Sequence, residues 1–298
     1  VMKKIILTLL FISLFLPLTN VSAEASIISD RAYRAEVRRE QKQDIKLIKQ
    51  LFKNHKEFAN KHNSEGLRPL YADNYINNDG FDKKAYFKSI DSTWEACKDL
   101  TYDTKIMSIS INGDNASVEV VETASGTISE VIEAMEVLGE IHSRAEVIYH
   151  LIRINGNWYI SGETALTDES TLLYGDARFM NIELNSPAQV SAGEDYTIGV
   201  KVDADDNTFI IGSLDHDPVK YPPQTPKSEL RALGQSQTLE RIIKANTDNL
   251  NEYAIASLAI SKVNNLGEEH YRIYMAGLAC IMKRVNVVPK NNFIEIEE

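Results

Sequence analysis

Carboxylates are densest at Asp203-Ala204-Asp205-Asp206-Asn207, with Asp215-His216-Asp217 close behind. Hard carboxylate oxygens at this density suit Ca²⁺. The run lacks the glycine at the sixth position and the glutamate at the twelfth that an EF-hand loop requires, so it reads as a solvated turn between strands. Zinc would need His and Cys at ligand spacing, and none of the 6 His and 2 Cys is so placed. There is no Gly-rich phosphate loop, GxSxG elbow or HExxH helix. The expectation is no metal and no cofactor. Cys97 and Cys280 lie roughly 180 positions apart, outside any CxxC, and read as two separate buried thiols without redox or nucleophilic work.

The spacing of apolar residues along the chain sets the elements that could position a site. From Ser29 to about Asn63, Ile45, Ile48, Phe52, His55 and Ala59 recur at three- and four-residue steps. That spacing predicts a helix with one apolar face. The stretch RAYRAEVRREQKQ, before Asp44, is far more polar and reads as a projecting turn of that helix. A second short helix fits Glu65 to Tyr71, and Asn77-Asn78-Asp79-Gly80 carries turn chemistry. Lys83 to Lys98 is a third helix, with Tyr86, Phe87, Ile90, Trp94 and Cys97 on one face.

The period then changes to two. Thr101 to Ile111 is a strand, INGDNASVEV a hairpin, and Ala116 to Thr123 the returning strand. Ser129 to Leu138 has helical spacing. Ile141 to Ile154 is a long strand, Asn155-Gly156 a two-residue turn, and Trp158 to Thr164 the closing strand. Helices followed by an antiparallel meander give an α+β order.

A helix running into Leu70-Tyr71-Ala72-Asp73, a hairpin around Gly113, and a strand pair ending in RINGNWYISGE together resemble the nuclear transport factor 2-like superfamily, in particular its SnoaL-like members. The resemblance covers residues 42–168. It implies a cone-shaped half-barrel, in which a curved antiparallel sheet wraps three helices around an apolar cavity. It also implies pocket-lining positions for Tyr71, Tyr75, Phe87, Trp94, Met107 and Trp158, whose large apolar bodies and, for Tyr and Trp, polar handles suit an enclosed small ligand. Enzymes of the superfamily place an acid or base inside the cone, and Asp73, Asp103, His55 and His150 are the candidates that correspond. Asp73, in YADNY, reads as a cap, and Asp103 as solvated. If Val147, Tyr149 and Leu151 face the cone, His150 and Glu146 fall on the outer face with Ile148 and Ile152. His55 sits on the apolar helix face, where a satisfied core histidine is the commoner state. No Asp–His or Tyr–Asp constellation emerges, so no catalytic residue is assigned.

Beyond about Arg178 the character changes again. Phe179 to Leu184 alternates, Tyr196, Ile198, Val200 and Val202 share one face, and Glu240–Ala245, Tyr253–Ser261 and Tyr271–Val288 are strand-like. With YPPQTP at 221–226 among the breaks, these predict an immunoglobulin-like β-sandwich over 178–298, without a Cys-Trp-Cys core. Residues 169–177 read as a polar linker and 24–168 as the cone domain with its N-terminal helix.

At the other end, Lys3 and Lys4, the apolar run Ile5–Leu16 and Val21-Ser22-Ala23 have the anatomy of a secretory signal peptide over residues 1–23. The run is shorter than the roughly 20 residues that span a bilayer, so no membrane span is expected in the mature chain. Export to a bacterial periplasm or exterior is the expected location. Residues 1–23 contain two basic and no acidic side chains, so their removal takes the formal charge of −11 to −13. An acidic chain is repelled by phosphate backbones and anionic lipids, which argues against nucleic acid as a partner.

These readings converge on a secreted, non-catalytic binding protein, its cone holding a small apolar ligand or a peptide. The partly apolar outer face of the sheet calls for a cover, either a homodimer through the sheet or docking of the C-terminal domain. The alternatives are an isomerase, dehydratase or hydrolase with an acid–base residue in the cone, and a structural envelope component. A buried ionisable side chain in the cavity, with a polar partner in hydrogen-bond range, would distinguish the enzyme from the others.

Overall fold

The computed structural model describes residues 20–132, 135–220, 230–234, 237–267 and 270–290. Most of the expected signal peptide and the YPPQTP stretch lie outside them. The chain divides into two units, 1–47 and 48–298. The described part of the first is helix α1 up to Leu47, in which Arg38 to Gln43 are exposed. Among the described residues no helix is long and apolar enough to cross a membrane.

Helix α1 spans Asn20–Asn60 as a whole. From Ile48 onward it buries Ile48, Leu51, Phe52, His55 and Ala59, the face set by the three- and four-residue steps. Helix α2 is only Ser64–Leu67, started by the Asn63 side chain accepting from the Gly66 N–H. A 3₁₀ turn over Arg68–Leu70 follows, with Pro69 in its first turn. The chain then extends as strand β1, Tyr71–Asn77, where the sequence predicted a helix as far as Tyr71. Tyr71 and Tyr75 are buried aromatic residues that the parallel pairing with a later strand accommodates better than a short helix would. Helix α3, Lys83–Ala96, is capped by Asp82 accepting from the Ala85 N–H, and it buries Phe87 and Trp94.

Four long strands form the curved wall: β2 Thr101–Asn112, β3 Asn115–Ile132, β4 Met135–Ile154 and β5 Asn157–Gly175. The helical spacing at 129–138 is overruled by pairing. Ile128 lies opposite Gly139 and Ile132 opposite Met135, so the ladder that begins at Asn115 runs to the end of the hairpin. Asn155 and Gly156 both take positive φ, as the two-residue turn between β4 and β5 requires. Ala116, Val118 and Val120 of β3 face the helices together with Val147, Tyr149 and Leu151 of β4. His150 is exposed on the other side and bonds the Thr164 hydroxyl. Three helices on a curved antiparallel sheet make the cone.

The remaining strands are β6 Asn181–Asn185, β7 Gln189–Ser191, β8 Asp195–Asp203, β9 Thr208–Pro218, β10 Arg231–Ala232, β11 Thr238–Lys244, β12 Glu252–Gly267 and β13 His270–Val288. One sheet runs in the order β10-β9-β12-β13-β5-β4-β3-β2, and a three-stranded sheet, β11-β8-β6, forms a second layer. Between them lies a core that includes Ile198, Val200, Val202, Ile210, Leu258, Ile260 and Ile281. The larger sheet does not stop where the cone ends. Residues 169–177 are no linker: Glu169–Gly175 continue β5 and pair with Lys283–Gly277, and Asp176–Phe179 form a 3₁₀ turn. Their polar composition is that of a partly exposed strand: Leu173 packs against the core between the sheets, and Tyr174, on the opposite face, is buried. Gly175 turns the chain at φ +58, where an added Cβ would meet the Ala276 carbonyl oxygen at 2.2 Å.

Candidate functional site

Between α1, α3 and the inner face of the sheet lies a cavity of about 100 Å³. Its lining comprises His55, Lys56 and Ala59 from α1, Leu67 from α2, and Tyr86, Ile90 and Trp94 from α3. The sheet adds Tyr102 and Thr104 from β2, Glu122 from β3 and Tyr149 from β4. The wall is largely aromatic, with one carboxylate set in it.

Glu122 follows Ala116, Val118 and Val120 on the inward side of β3, so alternation alone delivers it to the cavity. The Tyr149 hydroxyl lies 3.2 Å from each of its oxygens, and Thr104 Oγ1 donates at 3.3 Å. Burial nevertheless outweighs these bonds and pushes the Glu122 carboxyl up to about 7.

Glu163 reaches the same interior by another route. Trp158 and Ile160 of β5 point inward, so strict alternation would send residue 163 outward. The register slips between Ile160 and Gly162, leaving Ser161 as an extra residue, and Glu163 comes to lie opposite Tyr149. This is the re-aiming that a β-bulge performs. The Glu163 carboxylate is surrounded by Tyr75, Asn77 and Tyr86, although the Tyr75 hydroxyl completes no hydrogen bond of normal length. Burial first, then repulsion from Glu122, lift its carboxyl to about 7.

His55 completes the arrangement. Its Nε2 lies 2.8 Å from the Tyr71 hydroxyl, which lies 3.4 Å from that of Tyr86. Burial depresses the imidazole to about 4, so at neutral pH His55 is uncharged and serves as a hydrogen-bonding partner. Burial raises the Tyr71, Tyr86 and Tyr149 hydroxyls well above the usual tyrosine value, so they are proton donors here and not phenolates. Tyr71, Tyr75, Tyr86 and Phe87 interlock, with ring centroids 5.1–5.7 Å apart.

The residues expected to line the pocket divide. Trp94 does, its indole N–H donating to the Tyr102 hydroxyl at 2.9 Å. Tyr71, Tyr75 and Phe87 form the packed layer behind the lining, and Trp158 is buried beneath Arg153. Met107 is 55% exposed: the β2–β3 register slips between Ile106 and Ser108, leaving Met107 outside the pairing. Asp73 is solvent-exposed and pairs with Lys83, and Asp103 pairs with Lys56 on the surface. The acidic patch of β8 and β9 is dispersed among separate partners. Asp203 meets Lys201, Asp215 meets Arg241, and His216 meets Glu252. Among the described residues no three His, Cys, Asp or Glu gather as a metal site, and both cysteines are free thiols.

The opposed shifts make a prediction for stability. Glu122 and Glu163 hold their protons from their ordinary value of 4.5 up to about 7, so each contributes stability that is complete below pH 4.5 and lost as pH rises through 7. His55 works the other way, losing stability as pH falls from 6.5 towards 4. Two groups oppose one, so the cone weakens with rising pH, by up to about 3 kcal/mol per glutamate. Urea midpoints at about pH 5 and about pH 8 check this: the wild type falls between them, and Glu163→Gln falls less. Equal falls in the two proteins would contradict the assignment.

No protein-family model and no curated protein matches the chain. Solved structures of similar arrangement cover its first half. The Kfla4162 protein from Kribbella flavida is 12% identical with a TM-score of 0.37, over 42% of this chain and 90% of that one. A hexachlorocyclohexane dehydrochlorinase (LinA), type 2, is 12% identical with a TM-score of 0.36, over 42% and 85%. A nuclear transport factor 2-like protein from Cytophaga hutchinsonii is 15% identical with a TM-score of 0.30, over 41% and 95%. At these identities the likeness is one of fold alone.

Proposed function

We propose that the cone is an acid–base active site for a small hydroxylated carbonyl compound, removing a proton beside the carbonyl and releasing the β-hydroxyl as water. The observation that carries this reading is the pair of carboxyls inside one cone: Glu122 in the cavity wall beneath the Tyr149 hydroxyl, and Glu163 behind that wall, opposite Tyr149 on the neighbouring strand. Burial raises both carboxyls toward neutrality, and repulsion from Glu122 adds to the rise at Glu163, so one cone holds a base and an acid at once.

Glu122, which lines the cavity, is the group placed to touch substrate. As a carboxylate it takes the α-proton; the C–H electron pair becomes the new C=C bond and the C–O bond to the β-hydroxyl breaks. The departing hydroxide takes a proton from Tyr86, whose hydroxyl also faces the cavity and is backed by Glu163 and Tyr71. Glu163 restores that proton. Each role asks for a group whose proton affinity lies near the working pH or is linked to one that does. A cavity of about 100 Å³ suits substrates of about three to six carbons and bars steroids and lipids unless it opens. The mixture of carboxylate and hydroxyl groups in its wall favours this reading over storage of an apolar ligand.

The test is deuterium exchange. The purified full chain is incubated in D₂O with a panel of short β-hydroxy aldehydes, ketones and acids, and proton NMR follows the α-carbon and any alkene product. Label entering the α-position of at least one member, or an alkene accumulating, supports the site. Thermal stabilisation by a panel member with neither exchange nor product would instead make the cone a binding pocket.

A further inference from the structure

A second polar cluster lies behind the cone, where the β1–α3 turn meets the C-terminal strands. Arg284 of β13 is 3% exposed, and its guanidinium grips Asp79 in a fork, at 2.6 and 3.0 Å. Asn251 donates to the same carboxylate at 2.8 Å, and the Arg284 Nε donates to the Asn286 side chain. A buried bidentate pair of this kind fixes direction as well as distance.

The turn that holds Asp79 also holds Glu163. Asn77 is the register partner of Glu163 in the parallel β1–β5 pairing, and the Asn78 N–H donates to the Glu163 carbonyl at 2.9 Å. The Asn77 side-chain oxygen accepts from the Asp79 and Phe81 N–H groups at 3.1 and 2.8 Å. With that oxygen tied down, the amide's other end is left for the Glu163 carboxylate, one of the partners around it.

We propose that Arg284 is a positioning residue for Glu163: its ion pair with Asp79 fixes the 77–81 turn, and the turn holds the Glu163 carbonyl through the Asn78 N–H and the carboxylate through the Asn77 side chain. The C-terminal half of the chain thereby becomes part of the site's construction, although Arg284 itself touches no reacting atom. The inference rests on the reading of the cone as an acid–base site. The groups facing Glu163 are Tyr71, Tyr75 and Asn77 from β1, Tyr86 from α3, Glu122 from β3 and Tyr149 from β4, and of these only Asn77 belongs to the clamped turn.

The test reads the proton on Glu163 directly. The full chain is labelled with ¹³C at glutamate carboxyls, and Glu163→Gln assigns its resonance. The clamp is removed by Asp79→Leu with Arg284→Met, which subtracts one charge of each sign and leaves the net field nearly unchanged. Losing one hydrogen bond to a carboxylate should raise its titration midpoint by about one pH unit. Asn77→Ala is expected to raise it to the same extent. Should the double replacement fail to fold, Arg284→Lys, which keeps the cation and gives up the fork, is read in the same way. A folded clamp variant in which Glu163 titrates as in the wild type overturns the clamp alone. A wild-type Glu163 titrating as an ordinary glutamate removes the reading of the cone, and the clamp's role with it.

Discussion

Glu122→Gln is expected to cut turnover of any substrate the exchange assay identifies by about 10²–10⁴-fold, the usual worth of a positioned general base. The substitution is close to isosteric. Its amide oxygen can still accept from Tyr149 and Thr104, so the wall of the cavity keeps its shape. What disappears is the group that titrates near 7 on the cavity surface. The loss should therefore fall on kcat more than on KM, and the limb of the wild-type pH–rate profile that rises through 7 should flatten. The variant should also be more stable than the wild type above pH 7, because it no longer carries a buried carboxylate that must ionise. A stabler but inactive protein is an outcome that mere loss of packing would not produce. Unchanged kcat would remove Glu122 from the chemistry.

The second large effect concerns the fold. Arg284→Ala should destabilise the chain by about 3–5 kcal/mol, since it strands Asp79 as a buried charge without its counter-ion and takes the Arg284 Nε donor from the Asn286 side chain. Replacing both members of the pair with apolar residues should cost far less, because the desolvation of two charges disappears along with their attraction. Urea unfolding of the single and double variants, compared in a mutant cycle, measures this difference. A single variant as stable as the wild type would mean that water reaches Asp79 and that the pair is superficial.

How much of this could be read from the residues depends on which strand is considered. Glu122 was accessible: it continues the inward series Ala116, Val118 and Val120, and following that alternation one step past Val120 finds it. The acids that the resemblance points to, Asp73 and Asp103, are ones the fold leaves in solvent. The spacing places His55 on the buried face, but its partner Tyr71 opens strand β1 where the sequence predicts the end of a helix. Glu163 was hidden for a physical reason. A bulge at Ser161 depends on the pairing of β5 with β4 and β1, and nothing local in WYISGE announces the extra residue. The helical spacing at 129–138 was likewise outweighed by a ladder already running on both sides of it. The C-terminal strands announced themselves by alternation, but the choice of β5 as a partner for β13 is a long-range decision that no short window contains.

That choice has a consequence for the order in which the chain acquires structure. Glu169 waits for Lys283, and Gly175 for Gly277, roughly a hundred residues later. Closing so long a loop costs entropy before the contacts it permits repay it, which places the molecule among slowly folding topologies. During synthesis the outer half of β5 would stand without its neighbour until β13 had emerged, an unpaired edge open to a wrong strand. A truncation after residue 177 would leave that edge bare permanently. The same strand that carries Glu163 into the cone therefore makes a segment synthesised about a hundred residues later a condition for the first half to be safe from aggregation.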